Sequence, residues 1–282
     1  MTPKTILLAT DLSCRCDRAL ARAVSLAKEW NARLVVLHAL ETPAPVTNEP
    51  SWRGSIDPRS AARKRLLADL CGEIPSDLEL IIERGEPAQL VLDTVARLGC
   101  ELVMTGVARD ELFGRSLLGS TVETLARRSN VPVLIVKSRA CGSYADVVVA
   151  SDFSECSRNA LEAALEMVPA ARVSLFHAYQ VPFEGQIDDR MAVRESFGRE
   201  ALGKGRAFLA ETSPLAASRV NVTCEYGALV PLLRDLIDAR AVDLVVVGKR
   251  GHSKLAELLL GSVAQAVLSE VPCDVMVVPM RK

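Results

Sequence analysis

The chain has 282 residues, 49% apolar and 24% charged, which is apolar material enough for two buried cores of ordinary domain size. Its 34 basic and 35 acidic residues leave a net charge of −1. That excludes the basic surplus with which a nucleic-acid binder neutralises phosphates and the charge excess of a disordered chain.

In chain order, the opening MTPKTILLATD lacks the apolar core of a secretion signal. No apolar run exceeds four residues, so no membrane-spanning helix is expected. The expected location is cytoplasmic, with the eight cysteines mostly reduced. The first predicted strand is Thr5–Ala9. A helix follows over Cys16–Trp30, where Leu20, Ala23, Val24 and Ala27 recur at helical spacing, and Asp11-Leu-Ser13 offers N-cap residues. Strands are predicted at Arg33–His38, Leu78–Glu83, Leu102–Thr105 and Val133–Val136. Pro87 stands where the first turn of a third helix tolerates proline.

The series then returns at a period near 142 residues. Thr5-Ile-Leu-Leu-Ala-Thr-Asp-Leu-Ser13 reappears as Asp146-Val-Val-Val-Ala-Ser-Asp-Phe-Ser154. Leu34-Val-Val-Leu-His38-Ala reappears as Val173-Ser-Leu-Phe-His177-Ala, and Glu83-Arg-Gly85 as Glu225-Tyr-Gly227. Leu102–Gly106, Leu117–Ser120 and Val131–Val136 have counterparts at Leu244–Gly248, Leu259–Ser262 and Val271–Val278. Second-half strands are predicted at Asp146–Ala150, Arg172–His177, Arg219–Glu225, Leu244–Val247 and Asp274–Val278, with Pro231 echoing Pro87. The chain therefore divides into residues 1–138 and 144–282, joined near Lys137–Tyr144. Near-continuous apolar strands alternating with helices predict two tandem doubly wound α/β domains, each a five-stranded parallel sheet flanked by helices. Ligands bind such sheets beyond the carboxyl ends of the strands, at the topological switch point.

One spacing points to an anion. After the fourth strand of the second half comes Gly248-Lys-Arg-Gly251, nine residues, then Gly261-Ser262. Glycines admit positive φ and close backbone approach. Gly261-Ser262 opens a helix whose free N–H groups and dipole attract phosphate. Lys249, Arg250, His252 and Lys254 add charge, and the Ser262 hydroxyl adds a donor.

These features resemble the universal stress protein family in its tandem two-domain form. The matching residues are the two Asp-Leu/Phe-Ser elbows, the His-Ala after each second strand, and the Gly-x2-Gly-x9-Gly-Ser block. The resemblance covers nearly the whole chain. It implies a Rossmann-like fold of the adenine nucleotide alpha hydrolase-like kind and a site for ATP or AMP, with or without Mg2+. On that resemblance Asp152 lies beside the adenosine and the Ala178 backbone meets adenine. Gly248, Lys249, Arg250, Gly251, His252, Ser253 and Lys254 wrap ribose and phosphates, and Gly261, Ser262 and Val263 complete the cradle. It also implies that the last strands pair between domains.

The first half departs from the pattern. It keeps Asp11, Ala39, Gly106, Gly119, Ser120 and Thr121, but Arg109 replaces the middle glycine. An arginine at positive φ is strained by roughly 1 kcal/mol, and its side chain would fill phosphate space. Alternatively, it would bind phosphate itself. A weak or absent first site is expected.

Other motifs read less well. Gly198-Arg-Glu-Ala-Leu-Gly203-Lys204-Gly205 imitates a phosphate-binding GxxxxGK loop but lacks the Ser or Thr and lies in a helical pattern. Cys14-Arg-Cys16 reads as small residues at a helix start before it reads as redox-active or metal-binding, and no metal site is predicted. His38 and His177 read as strand-end histidines satisfied by one backbone bond. Asp11 and Asp152 lack the acidic pair of a phosphoryl acceptor, and no GxSxG elbow appears. The expected function is a nucleotide-binding signalling module in stress adaptation, with an unidentified protein partner and a homodimer left open. A slow ATP-hydrolysing enzyme and a nucleotide-free scaffold are the alternatives. The long segments Glu41–Asp57 and Tyr179–Asp189 are candidate lids.

Overall fold

In the computed structural model the described residues are 2–40, 57–70, 72–107, 110–112, 115–117, 119–249 and 260–280. Contacts divide the chain into two units, Thr2–Ser143 and Tyr144–Lys282. In the first, β1 (Thr5–Thr10), β2 (Arg33–Leu40), β3 (Leu78–Arg84), β4 (Leu102–Gly106) and β7 (Val133–Val136) alternate with α1 (Asp17–Trp30), α2 (Pro58–Asp69), α3 (Pro87–Leu98) and α4 (Ser120–Arg128). Two short strands, β5 (Asp110–Leu112) and β6 (Arg115–Leu117), pair antiparallel between β4 and α4. The sequence pattern did not announce them, because three residues are too few for periodicity to show.

The second unit repeats the plan. It has β8 (Asp146–Ala150), β9 (Arg172–Tyr179), β10 (Asn221–Tyr226), β11 (Leu244–Gly248) and β12 (Asp274–Val278), with α5 (Glu155–Met167), α6 (Arg190–Thr212), α7 (Pro214–Arg219), α8 (Leu229–Arg240) and α9 (Ser262–Glu270). The described strands run parallel in the orders β7-β4-β1-β2-β3 and β10-β9-β8-β11-β12. Both orders reverse beside the first strand, between β1 and β4 and between β8 and β11. These are the switch points.

Local chemistry fixes the element ends. Glu86 caps α3, accepting from the Ala88 N–H at 3.1 Å and the Gln89 N–H at 2.7 Å, with Pro87 at the first helical position. Gly99 ends that helix at φ 64°, in the left-handed region glycine enters freely. The central strands are fully buried, Ile6, Leu7 and Leu8 in one unit and Val147, Val148 and Val149 in the other. Strands covered on both faces need no alternation, which is why they read as continuous apolar runs.

Two sequence expectations are corrected. Arg219 ends α7, and β10 starts at Asn221. Ser13 does not cap α1: a 3-10 turn at Cys14–Cys16 intervenes, Cys16 takes the cap position, and the buried Ser13 hydroxyl has no partner among the described residues. The stretch read as a linker is fastened to α1. Arg18 donates to the Lys137 carbonyl and Arg22 to the Gly142 carbonyl, each at 2.6 Å, and Ser143 donates to Glu29 at 2.7 Å.

Candidate functional site

At the switch point of the second unit the chain leaves β8 through Ser151-Asp152-Phe153-Ser154. Phe153 sits at φ 62°, and its counterpart Leu12 at φ 60°. A non-glycine residue there is strained by about 1 kcal/mol, so each elbow is held from outside. The Phe153 N–H donates to the Ser151 hydroxyl at 3.0 Å, as Leu12 does to Thr10 at 3.1 Å. His177 Nδ1 meets the Ser151 carbonyl at 2.8 Å, and His38 Nδ1 meets that of Thr10 at 2.9 Å. Both histidines are thus strand-end residues with one backbone bond, as their position suggested.

The elbows aim Asp152 and Asp11 beyond the sheet. Asp152 Oδ1 accepts from the Ser154 N–H at 3.1 Å and from the Ser157 hydroxyl at 2.7 Å. In the first unit Cys16 occupies the position of Ser157 and its thiol meets Asp11 Oδ1 at 3.1 Å. Burial, aided by the Asp11 charge, pushes the Cys16 thiol up to about 11. A reactive thiolate is therefore disfavoured, and the redox reading of Cys14-Arg-Cys16 loses its second member. Among the described residues no group of three or more His, Cys, Asp and Glu could hold a metal ion.

Strand parity supplies a polar edge. In a parallel ladder successive residues turn their backbone groups to opposite neighbours. The Phe176 carbonyl accepts from Ser151 on the β8 side, and the Tyr179 carbonyl from Gly227 on the β10 side. Ala178 therefore turns its N–H and C=O toward β8, two steps past the Ala150–Phe176 pair and beyond the end of β8. The Arg33 N–H donates to the Lys4 carbonyl, and the same parity places Ala39 beyond the end of β1.

Gly248 lies one step past the Val247–Ala150 pair, next to the elbow. A Cβ there would stand 2.8 Å from the Cys156 carbonyl oxygen, so this glycine lets α5 approach β11. Lys249 is buried; its N–H donates to the Val278 carbonyl and its carbonyl accepts from the Gly261 N–H at 3.0 Å, drawing the start of α9 onto the end of β11. Gly261 is the N-cap at φ −61° without a side-chain cap bond. Its role is therefore a missing side chain and not a positive φ, a correction that applies also to Gly119 at φ −64°. The amides of Ser262, Val263 and Ala264 lie outside the ladder of α9, and Ser262 and Val263 are exposed.

The structure thus gathers Asp152, Ala178, Gly248, Lys249, Gly261, Ser262 and Val263 at the carboxyl end of one sheet. Arg250, Gly251, His252, Ser253 and Lys254 lie outside the described residues, as does Arg109. In the first unit Asp11, Ala39, Gly106, Gly119, Ser120 and Thr121 hold the equivalent places, and two of the other differences bear on charge. Val107 stands where Lys249 does, and Glu123 lies in the first turn of α4, whereas the first turn of α9 carries no acid.

Sequence reasoning missed a cluster beside Ala178. Tyr179 and Tyr226 meet edge to face at 5.9 Å, and the Arg194 guanidinium lies 4.1 Å from the Tyr226 ring centre. Arg194 and the Tyr226 phenol both donate to Glu184 in the 3-10 turn Glu184–Gln186. Those bonds hold the Glu184 carboxyl below its ordinary range, and the same carboxylate pushes the Tyr226 phenol up. The candidate lid Tyr179–Asp189 is thereby tied to the sheet end. Gly198, Gly203 and Gly205 fall inside α6, so the GxxxxGK look-alike forms no loop.

Comparison with known proteins agrees with this architecture. The family model described as "Universal stress protein family" matches twice, over residues 2–137 and 143–279. A universal stress protein of Mycolicibacterium smegmatis is 26% identical over 98% of this chain and 97% of its own length. One from Thermus aquaticus is 31% identical over 48% of this chain and 98% of its own length. The crystal structure of a universal stress protein from Archaeoglobus fulgidus covers 99% of both chains at a TM-score of 0.68 and 22% identity, which shows a common fold. The elbows, the switch-point sites and the double family match lead to one conclusion: this chain belongs to the universal stress protein family, whose domain it carries in tandem.

Proposed function

We propose that the second unit binds an adenine nucleotide, ATP or AMP, and that the chain acts as a nucleotide-dependent module in a stress response. The observation that carries this reading is the convergence at one switch point of an anion-ready helix end and a free strand edge. The first-turn amides of Ser262, Val263 and Ala264, which lie outside the α9 ladder, suit a phosphate. The N–H and C=O of Ala178 offer one donor and one acceptor in line, which is the pattern an adenine edge complements. Asp152, immobilised by Ser157, stands between them as an acceptor for ribose hydroxyls. When ATP is bound, Mg2+ would enter with its phosphates; the residues just named bind and orient the nucleotide without it.

The first unit is proposed to bind nucleotide weakly or not at all. Glu123 sets a carboxylate in the first turn of α4, where a phosphate would meet it. Val107 supplies no cation in place of Lys249, and Arg109 replaces a glycine.

Calorimetric titration of the whole chain with ATP and with AMP tests the reading. One nucleotide per chain is expected. Lack of heat with both nucleotides, together with an unchanged melting temperature, would refute it, and two equal tight sites would refute the asymmetry.

A further inference from the structure

We propose that the outer edge of β3 in the first unit is a docking strand for an extended acidic segment of a partner protein. Among the described residues, β3 pairs with β2 on one side alone. The Leu34 N–H donates to the Asp77 carbonyl, so the odd-numbered residues of β3 face β2. By parity Leu78, Leu80, Ile82 and Arg84 turn their N–H and C=O groups outward. That row of backbone groups is a template for one more strand. Leu80 and Ile82 are half-exposed and give the incoming chain apolar surface.

Charge selects the occupant. A groove of about 510 Å³ follows this edge, with Arg59, Arg84 and Arg97 on its walls. Arg59 comes from α2 and Arg97 from α3. The crossover through α2 runs outward to β3 and the one through α3 runs back, so right-handed crossovers put these helices on opposite faces. The edge is bracketed by guanidinium groups from both sides. Of the two carboxylates in the groove, Glu79 is neutralised by Arg33 at 2.6 Å, which leaves Glu83 against three arginines. A second copy presenting the same edge would bring like charges together, which is unfavourable across strands. An acidic strand would not.

The test uses the full chain and a fluorescein-labelled heptapeptide of alternating Glu and Val, with alternating Lys and Val as control, read by fluorescence anisotropy at 50 mM salt. The acidic peptide should bind at least tenfold more tightly than the basic one, and less tightly as salt rises. Ile82→Pro removes an outward N–H and leaves the β2 ladder intact, a placement edge strands accept; binding should be lost while the melting temperature changes little. R59E/R97E should weaken binding at least tenfold and serves if Ile82→Pro fails to fold. No binding by the wild type, equal binding of the two peptides, or unchanged binding by R59E/R97E would overturn the proposal. So would self-association of the chain that Ile82→Pro abolishes, since it would assign the edge to a second copy. ATP titration is a separate readout, unaffected by either variant.

Discussion

Asp11 and Asp152 are held by the same bond from the same place in the following helix, a thiol in one unit and a hydroxyl in the other. The thiol gives this bond a pH dependence that the Ser157 hydroxyl does not. Cys16 ionises near 9.0 in the unfolded chain and is pushed up to about 11 by burial when folded. Its contribution is therefore fully present below pH 9 and is lost as pH rises from about 9 to about 11. Cys16→Ser keeps a donor to Asp11 and removes the titration. In melts from pH 8 to 11 the wild type should lose stability relative to Cys16→Ser, by about 2 kcal/mol at the upper limit. Parallel curves would show that the burial of Cys16 is without this effect.

At the scale of elements, glycines in one sequence serve opposite ends. Gly248 ends β11 against the backbone of Cys156. Gly248→Ala must push α5 away, and it should cost about 1–3 kcal/mol in chemical denaturation. Gly203 lies inside α6 with nothing within 4 Å of an added Cβ. Gly203→Ala should stabilise the chain by about 0.5–1 kcal/mol. The reverse order would mean that α5 gives way more easily than its contact implies. Gly248 and Gly203 cannot be told apart by type. Motif spacing marked Gly248 as a site residue, whereas packing shows that its hydrogen is a condition for the helix that carries Ser157.

Over the whole molecule, duplication has left two units of one strand order whose switch-point residues differ. The first turn of α9 has Gln265 where α4 has Glu123. A carboxylate at a helix start near a bound phosphate replaces attraction with repulsion, and surface effects of this kind amount to about 0.3–1 kcal/mol. Gln265→Glu should therefore weaken ATP binding about two- to fivefold by calorimetry, at an unchanged melting temperature of the free chain. Glu123→Gln alone should not create a second tight site, because Val107 and Arg109 remain. A second tight site in that variant would place the whole asymmetry on one carboxylate.

Sequence alone determined the repeat, the strands and the parallel class, because buried strands and helix faces write their burial as runs and periods of local spacing. It also marked Gly248 and Gly261 by their spacing, and the fold sets them at the end of β11 and the start of α9. Tertiary structure alone decided that Ser157 and Cys16 hold the two aspartates, that Ala178 and Ala39 turn their backbone past the ends of β8 and β1, and that Arg194 and Tyr226 tie down Glu184. Among the described residues, it alone left the basic edge of β3 without a second neighbour. Those outcomes depend on register between segments far apart in the chain, where a shift of one residue reverses every backbone group, and local patterning carries no record of register.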